Sequence, residues 1–122
     1  MKQQRKRGNP QLPELVAALI KESENDFSHT IEDLLTRFGW QWVHSRPART
    51  IDGWRTALSG MQGFPDYFAV KGKRALAIEL KSDTGELSPE QYFWLVDLTE
   101  AGIECYLWQP KDDFNEIVAI LK

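Results

Sequence analysis

Residues 63–81 read GFPDYFAVKGKRALAIELK. Two runs rich in strand formers, DYFAV and RALAIELK, flank a KGK whose glycine can supply the positive φ of a tight turn. The stretch predicts a β-hairpin. Side chains alternate along a strand, so Leu76, Ile78 and Leu80 share one face while Ala77, Glu79 and Lys81 share the other. A two-residue turn at Lys71–Gly72 sets Asp66 opposite Ala77, and one at Gly72–Lys73 sets it opposite Glu79. Either register puts Asp66 on the face of Glu79 and Lys81; a three-residue loop would not. Two carboxylates and an ammonium within a sheet must be paired, solvated or holding a metal, because unpaired buried charge is strongly unfavourable. An Asp66–Lys81 or Glu79–Lys81 ion pair at a sheet edge meets that demand. So does a hard-cation site, since carboxylate oxygens suit Mg²⁺, which keeps several waters and takes few protein carboxylates.

The flanking segments complete an α/β pattern. SENDFSHTIEDLLTRFG (23–39) places Phe27, Ile31, Leu34, Leu35 and Phe38 on one face of an amphipathic helix. Ser23 and Asp26 form a capping box at its start, and Gly39 ends it. Glu24 falls in its first turn, where the helix dipole favours an acid in any case. PELVAALIK (13–21) has helical spacing over few turns, and WQWVHS (40–45) reads as a strand. Residues 46–63, RPARTIDGWRTALSGMQG, show no sustained period and predict a long loop with one helical turn at most. LSPEQYFWLVDLTEAG (87–102) is a marked helix, with Ser88 as cap, Pro89 in the first position, Gln91 closing a capping box and Gly102 as the stop. IECYLWQP (103–110) is a strand reached by a helical crossover, hence parallel to RALAIELK, and FNEIVAILK (114–122) a last helix.

The chain has 122 residues, 42% hydrophobic and 27% charged, which fits one globular domain with a real core. No apolar run approaches a membrane span, and the single cysteine, Cys105, excludes an internal disulfide and implies an intracellular setting. Residues 1–13 carry +4, so the overall charge of −3 leaves −7 on the rest. An acidic body of this kind cannot coat nucleic acid by bulk charge; a DNA partner would require local basic patches or metal ions. The basic tail, residues 1–12, is either a phosphate-gripping arm or a solvated end, and 13–122 forms the domain proper.

These residues resemble a known family. Pro65-Asp66 followed by Glu79-x-Lys81 is similar to the PD-(D/E)xK nuclease motif. GWxxxH (Gly39, Trp40, His44), RPART, GWRT, GFPD, ELK, GxLSPEQ and YLWQP, in that order, resemble the virus-type replication-repair nuclease (VRR-NUC) domain from about Ser23 to Pro110. The resemblance implies a restriction-endonuclease-like mixed β-sheet core (αβββαβ) flanked by helices, and Mg²⁺- or Mn²⁺-dependent hydrolysis of DNA phosphodiesters. By position, Asp66, Glu79 and the backbone carbonyl of Leu80 would hold the metal with Glu24, while Lys81 and Gln91 would complete the catalytic set. Stand-alone domains of this size are associated with phage genomes, homodimers and branched DNA such as Holliday junctions. Arg46, Arg49, Arg55, Trp54 and His44 are the expected DNA contacts. The alternatives are a nuclease of flaps, nicks or ends, or a non-catalytic module that binds DNA structure. His29 reads as surface, Lys71, Lys73 and Arg74 as a solubilising turn, and Trp40, Trp42, Trp94 and Trp108 as core. The apolar last helix could form a dimer interface or finish the monomer core.

Overall fold

A computed structural model describes residues 26–45, 47–50, 53–56 and 59–122, with the backbone alone at 47–50 and 53–56. Helix α1 covers residues 26–37. Strand β1 (Gln41–His44) follows, then β2 (Pro47–Thr50), β3 (Gly53–Thr56), β4 (Tyr67–Lys71), β5 (Arg74–Leu80), helix α2 (Pro89–Glu100), β6 (Glu104–Trp108) and helix α3 (Phe114–Leu121). The basic tail, the 13–21 helix, Ser23 and Glu24 lie outside the described residues. Among the described residues no helix is long and apolar enough to cross a membrane.

The main sheet has the order β1-β4-β5-β6. Lys71 pairs with Arg74 and Tyr67 with Ile78, so the hairpin turns at Gly72–Lys73, with Gly72 at φ 60°, and Asp66 lies across from Glu79. Strand β6 runs parallel to β5, as the helical crossover requires. One face of this sheet carries Trp42, Tyr67, Ala69, Leu76, Ile78 and Trp108. Against it pack Ile31, Leu34 and Leu35 of α1 and Ile117 and Leu121 of α3, all buried. The last helix thus spends its inward apolar residues on the monomer core. The other face holds Glu79 and receives α2, none of whose residues is fully buried.

Two readings need correction. Residues 46–63 are not a plain loop, because β2 and β3 pair antiparallel as a separate two-stranded sheet. The overlooked signal is the turn-favouring pair Asp52 and Gly53 between two short runs, with Gly53 the first residue of β3 opposite Thr50. Nor are Lys71 and Arg74 merely solubilising. Lys71 Nζ donates to the carbonyls of Phe38 (2.9 Å), Lys122 (3.1 Å) and Leu121 (3.3 Å), gathering the C-terminal ends of α1 and α3. Lys71 and Arg74 also both lie over the Trp40 ring, whose Nε1 donates to Leu121 O. Arg74 forms a two-pronged pair with Glu104 at 2.8 and 2.7 Å, which with the Tyr106 hydroxyl holds the Glu104 carboxyl down at about 2. Replacing Lys71 with methionine keeps the stem and removes the donor. It is expected to lower stability by about 1–2 kcal/mol in urea unfolding, because three carbonyls lose a charged partner. An unchanged midpoint would reduce Lys71 to surface charge.

Candidate active site

The site forms where the hairpin's open end meets the start of α2. Pro65 is buried and fixes the approach to β4; Ser45 N donates to Asp66 O at 2.7 Å, extending the β1–β4 ladder by one residue. The Asp66 side chain reaches across to β5, where its Oδ2 accepts from Leu80 N at 2.9 Å. Glu79 is 2% exposed and is the one charged residue buried among the described residues. Its Oε2 accepts from Gln91 Nε2 at 3.1 Å and lies 3.6 Å from Lys81 Nζ.

Gln91 performs two tasks at once. Its backbone N donates to Ser88 Oγ and its Oε1 accepts from Ser88 N, closing the capping box that starts α2. Its Nε2 remains for Glu79. A local helix-start motif therefore aims an amide at the buried acid.

Electrostatics make this a strained pair of acids. Burial, then the neighbouring Asp66 charge, raises the Glu79 carboxyl to about 7, against the pull of Lys81. Asp66 is also raised, by burial first, although the Leu80 N–H, His44 and Lys81 oppose the shift. Glu79 Oε1 is buried and has no hydrogen-bond partner. An orphaned carboxylate oxygen beside a second carboxylate fits an oxygen-seeking divalent cation, and Lys81 answers only the other oxygen. Among the described residues no group of three His, Cys, Asp or Glu side chains is placed to bind a metal, so such an ion would need backbone or water oxygens, or an acid beyond them.

An open cavity of about 400 Å³ adjoins the pair, with Ser28, His44, Asp66, Lys81, Ser82 and Glu86 among its lining residues. Leu80 lines it as well. His44 stacks on Tyr67 with ring centroids 4.1 Å apart, and its Nδ1 is 3.2 Å from Glu32 Oε2. Tyr67 donates to the same Glu32 oxygen and meets Ser28 Oγ at 2.9 Å; burial and Glu32 push its phenol well above the usual range.

Asp66, Glu79, Lys81 and Gln91 thus lie together, and of the expected site residues Asp66, Lys81, Leu80 and His44 line the cavity. Glu24 and Arg46 lie outside the described residues. Arg49 belongs to β2 and Trp54 and Arg55 to β3, whose side chains are likewise outside them. Sequence reasoning missed Ser28, Glu32 and Tyr67. Ser28 and Glu32 stand four apart on α1, the spacing of one helix face, and both are polar; that was the available signal.

The VRR-NUC domain model matches residues 25–111. Among solved structures the chain is similar to Archaeoglobus fulgidus Hjc, a Holliday junction resolvase from an archaeal hyperthermophile. The identity is 23%, over 72% of this chain and 70% of that one, with a TM-score of 0.48. No match was found among curated proteins.

Proposed function

The chain belongs to the VRR-NUC domain family, and from that premise we propose that it is a metal-dependent endonuclease of branched or structured DNA, with the Holliday junction as its substrate. The observation that carries the metal dependence is the orphaned, buried Glu79 oxygen beside Asp66. Asp66, Glu79 and the Leu80 carbonyl would hold Mg²⁺ or Mn²⁺, joined by Glu24. Such an ion, when bound, makes water a stronger nucleophile and draws charge from the phosphate. The chain's own residues do the rest. Gln91 holds the Glu79 carboxylate in one orientation, and Lys81 brings an ammonium to the reacting phosphate, where developing negative charge needs a fixed donor. His44, Arg46, Arg49 and Arg55 grip flanking phosphates, and Trp54 stacks on an unpaired base. The acidic body is no obstacle, because the bound ion supplies positive charge where the phosphate approaches. Acting on branched DNA, the protein would work inside a cell.

Symmetric resolution of a four-way junction needs two coordinated cuts, and the described residues of one chain form one such site, so a homodimer is part of this reading. Its surface is the outer side of α2. Tyr92 and Phe93 are 54% and 61% exposed there and Met61, in the loop packed on that helix, 83%, whereas α3 is already committed to the core. Phe93→Glu is expected to give a monomer in sedimentation velocity and to replace paired cuts by single nicks. A variant that sediments like the parent would move the interface elsewhere.

The decisive assay incubates the purified protein with labelled four-way junction, flap, nicked and linear DNA, with Mg²⁺, Mn²⁺ or EDTA, beside Asp66→Asn. Metal-dependent paired cuts in the junction, absent from the variant, are the expected result. Cutting confined to flaps, nicks or ends would change the substrate. Binding without cleavage in either metal would leave only a DNA-structure-binding module.

A further inference from the structure

Beyond Leu80 the β5 chain leaves the sheet, yet it is not loose. Lys81 N still donates to Trp108 O at 3.0 Å, the last backbone rung between β5 and the end of β6. The next rung is made by a side chain, because Gln109 Nε2 donates to Ser82 O at 2.9 Å. Lys111 N then donates to Asp83 Oδ1 at 2.8 Å, and Lys111 Nζ reaches Asp83 O at 3.3 Å. Gln109 is itself fixed in place. Its N–H donates to Asp112 Oδ2 at 2.8 Å, its carbonyl accepts from Asp112 N at 3.0 Å, and Pro110 restricts the backbone that follows. Residues 82–83 are therefore stapled to 109–111 immediately after the lysine that faces Glu79.

This arrangement has a geometric consequence. A residue at a strand end, with free backbone beyond it, samples other φ/ψ values, and its side chain leaves the face it shares with its i−2 neighbour. Here the segment just beyond Lys81 is clamped, and the clamp comes from an element that carries none of the catalytic groups. We propose that Gln109, with Asp83 and Lys111, is a positioning latch for Lys81. It keeps the ammonium on the Glu79 face and sets Ser82, which lines the cavity, at its place in the wall. The proposal rests on the nuclease reading for its catalytic consequence, but the latch itself is a property of the folded chain.

Two readouts separate these. In the full-length protein, Gln109→Leu and Asp83→Ala are each expected to lower kcat on junction DNA about tenfold, with KM within about twofold and little change in Tm, as for a misplaced rather than missing group. Because the latch acts through Lys81, Gln109→Leu added to Lys81→Met should cause no further loss in single-turnover cleavage. A full second loss in that background, or a rise in KM with kcat unchanged, would overturn the assignment. Amide hydrogen exchange reads the latch without any chemistry. Protection of the Lys81 amide should fall about tenfold or more in Gln109→Leu, and undiminished protection would overturn the latch even in a protein that cleaves no DNA.

Discussion

Glu79→Gln is expected to lower cleavage by about a thousandfold or more and, in the same protein, to raise the Tm measured in chelator. The two effects share one cause. Glu79 is buried beside Asp66 with one oxygen unpartnered, so in the metal-free protein its ionised form is disfavoured and its carboxyl rises to about 7. The sign follows from linkage. A carboxyl whose folded pKa lies above the unfolded value near 4.5 contributes its full stability below that value and loses it as pH rises through 7. Above pH 7 the penalty is on the order of 3 kcal/mol, shared with Asp66. The glutamine variant escapes it, and its amide can still accept from Gln91. Its gain in Tm should therefore be largest at pH 8 and fade towards pH 4.5. Mg²⁺ or Mn²⁺ should stabilise the parent and not the variant. Equal Tm values at pH 8 in EDTA would mean that Glu79 carries no unfavourable charge; retained cleavage would remove it from the metal site.

A second large effect is expected at a residue without a side chain. Gly63 has φ +97°, and a Cβ there would lie 2.7 Å from the backbone carbon of Glu90 and 2.9 Å from Gln91 N. Both obstacles are first-turn backbone of α2, which cannot yield as a flexible side-chain tip could. Gly63→Ala combines a left-handed conformation with this clash, and the expected destabilisation is about 3 kcal/mol or more. The loop preceding Asp66 and the helix carrying Gln91 would be forced apart, so the Gln91–Glu79 bond should weaken as well. Urea unfolding gives the first consequence. For the second, kcat should drop even at temperatures where the variant is fully folded. Parent-like stability would show that the loop can retreat from α2 without strain.

The contrast between the two positions explains what the sequence disclosed. Alternation and one tight turn located Asp66, Glu79 and Lys81 on a single face, because strand geometry leaves little freedom once the turn length is known. Ser88 and Gln91 were legible for the same reason, as local helix-start chemistry. What stayed hidden depends on elements distant in the chain. The orphaned Glu79 oxygen needs α2 laid over β5, and the Tyr67–Glu32–Ser28 bonds need α1 laid over β4. Tyr67 gave no sign of its partner, since nothing adjacent to it reveals a carboxylate 35 positions away. The β2–β3 hairpin escaped because its strands are four residues each, too short to establish a period.

One ammonium, that of Lys71, is bonded at the ends of both α1 and α3. The two helices are consequently coupled to the hairpin at a common pivot and are not independent of each other. A displacement of α1 on engaging DNA would be transmitted to α3, so the helical layer opposite α2 should move as one stiff plate. Compliance is left to the other side of the sheet, where α2 buries no residue completely. Differences in hydrogen exchange between free and DNA-bound protein should then appear in α1 and α3 together, and separately from α2. Lys71→Met is the substitution that would let the two helices respond apart.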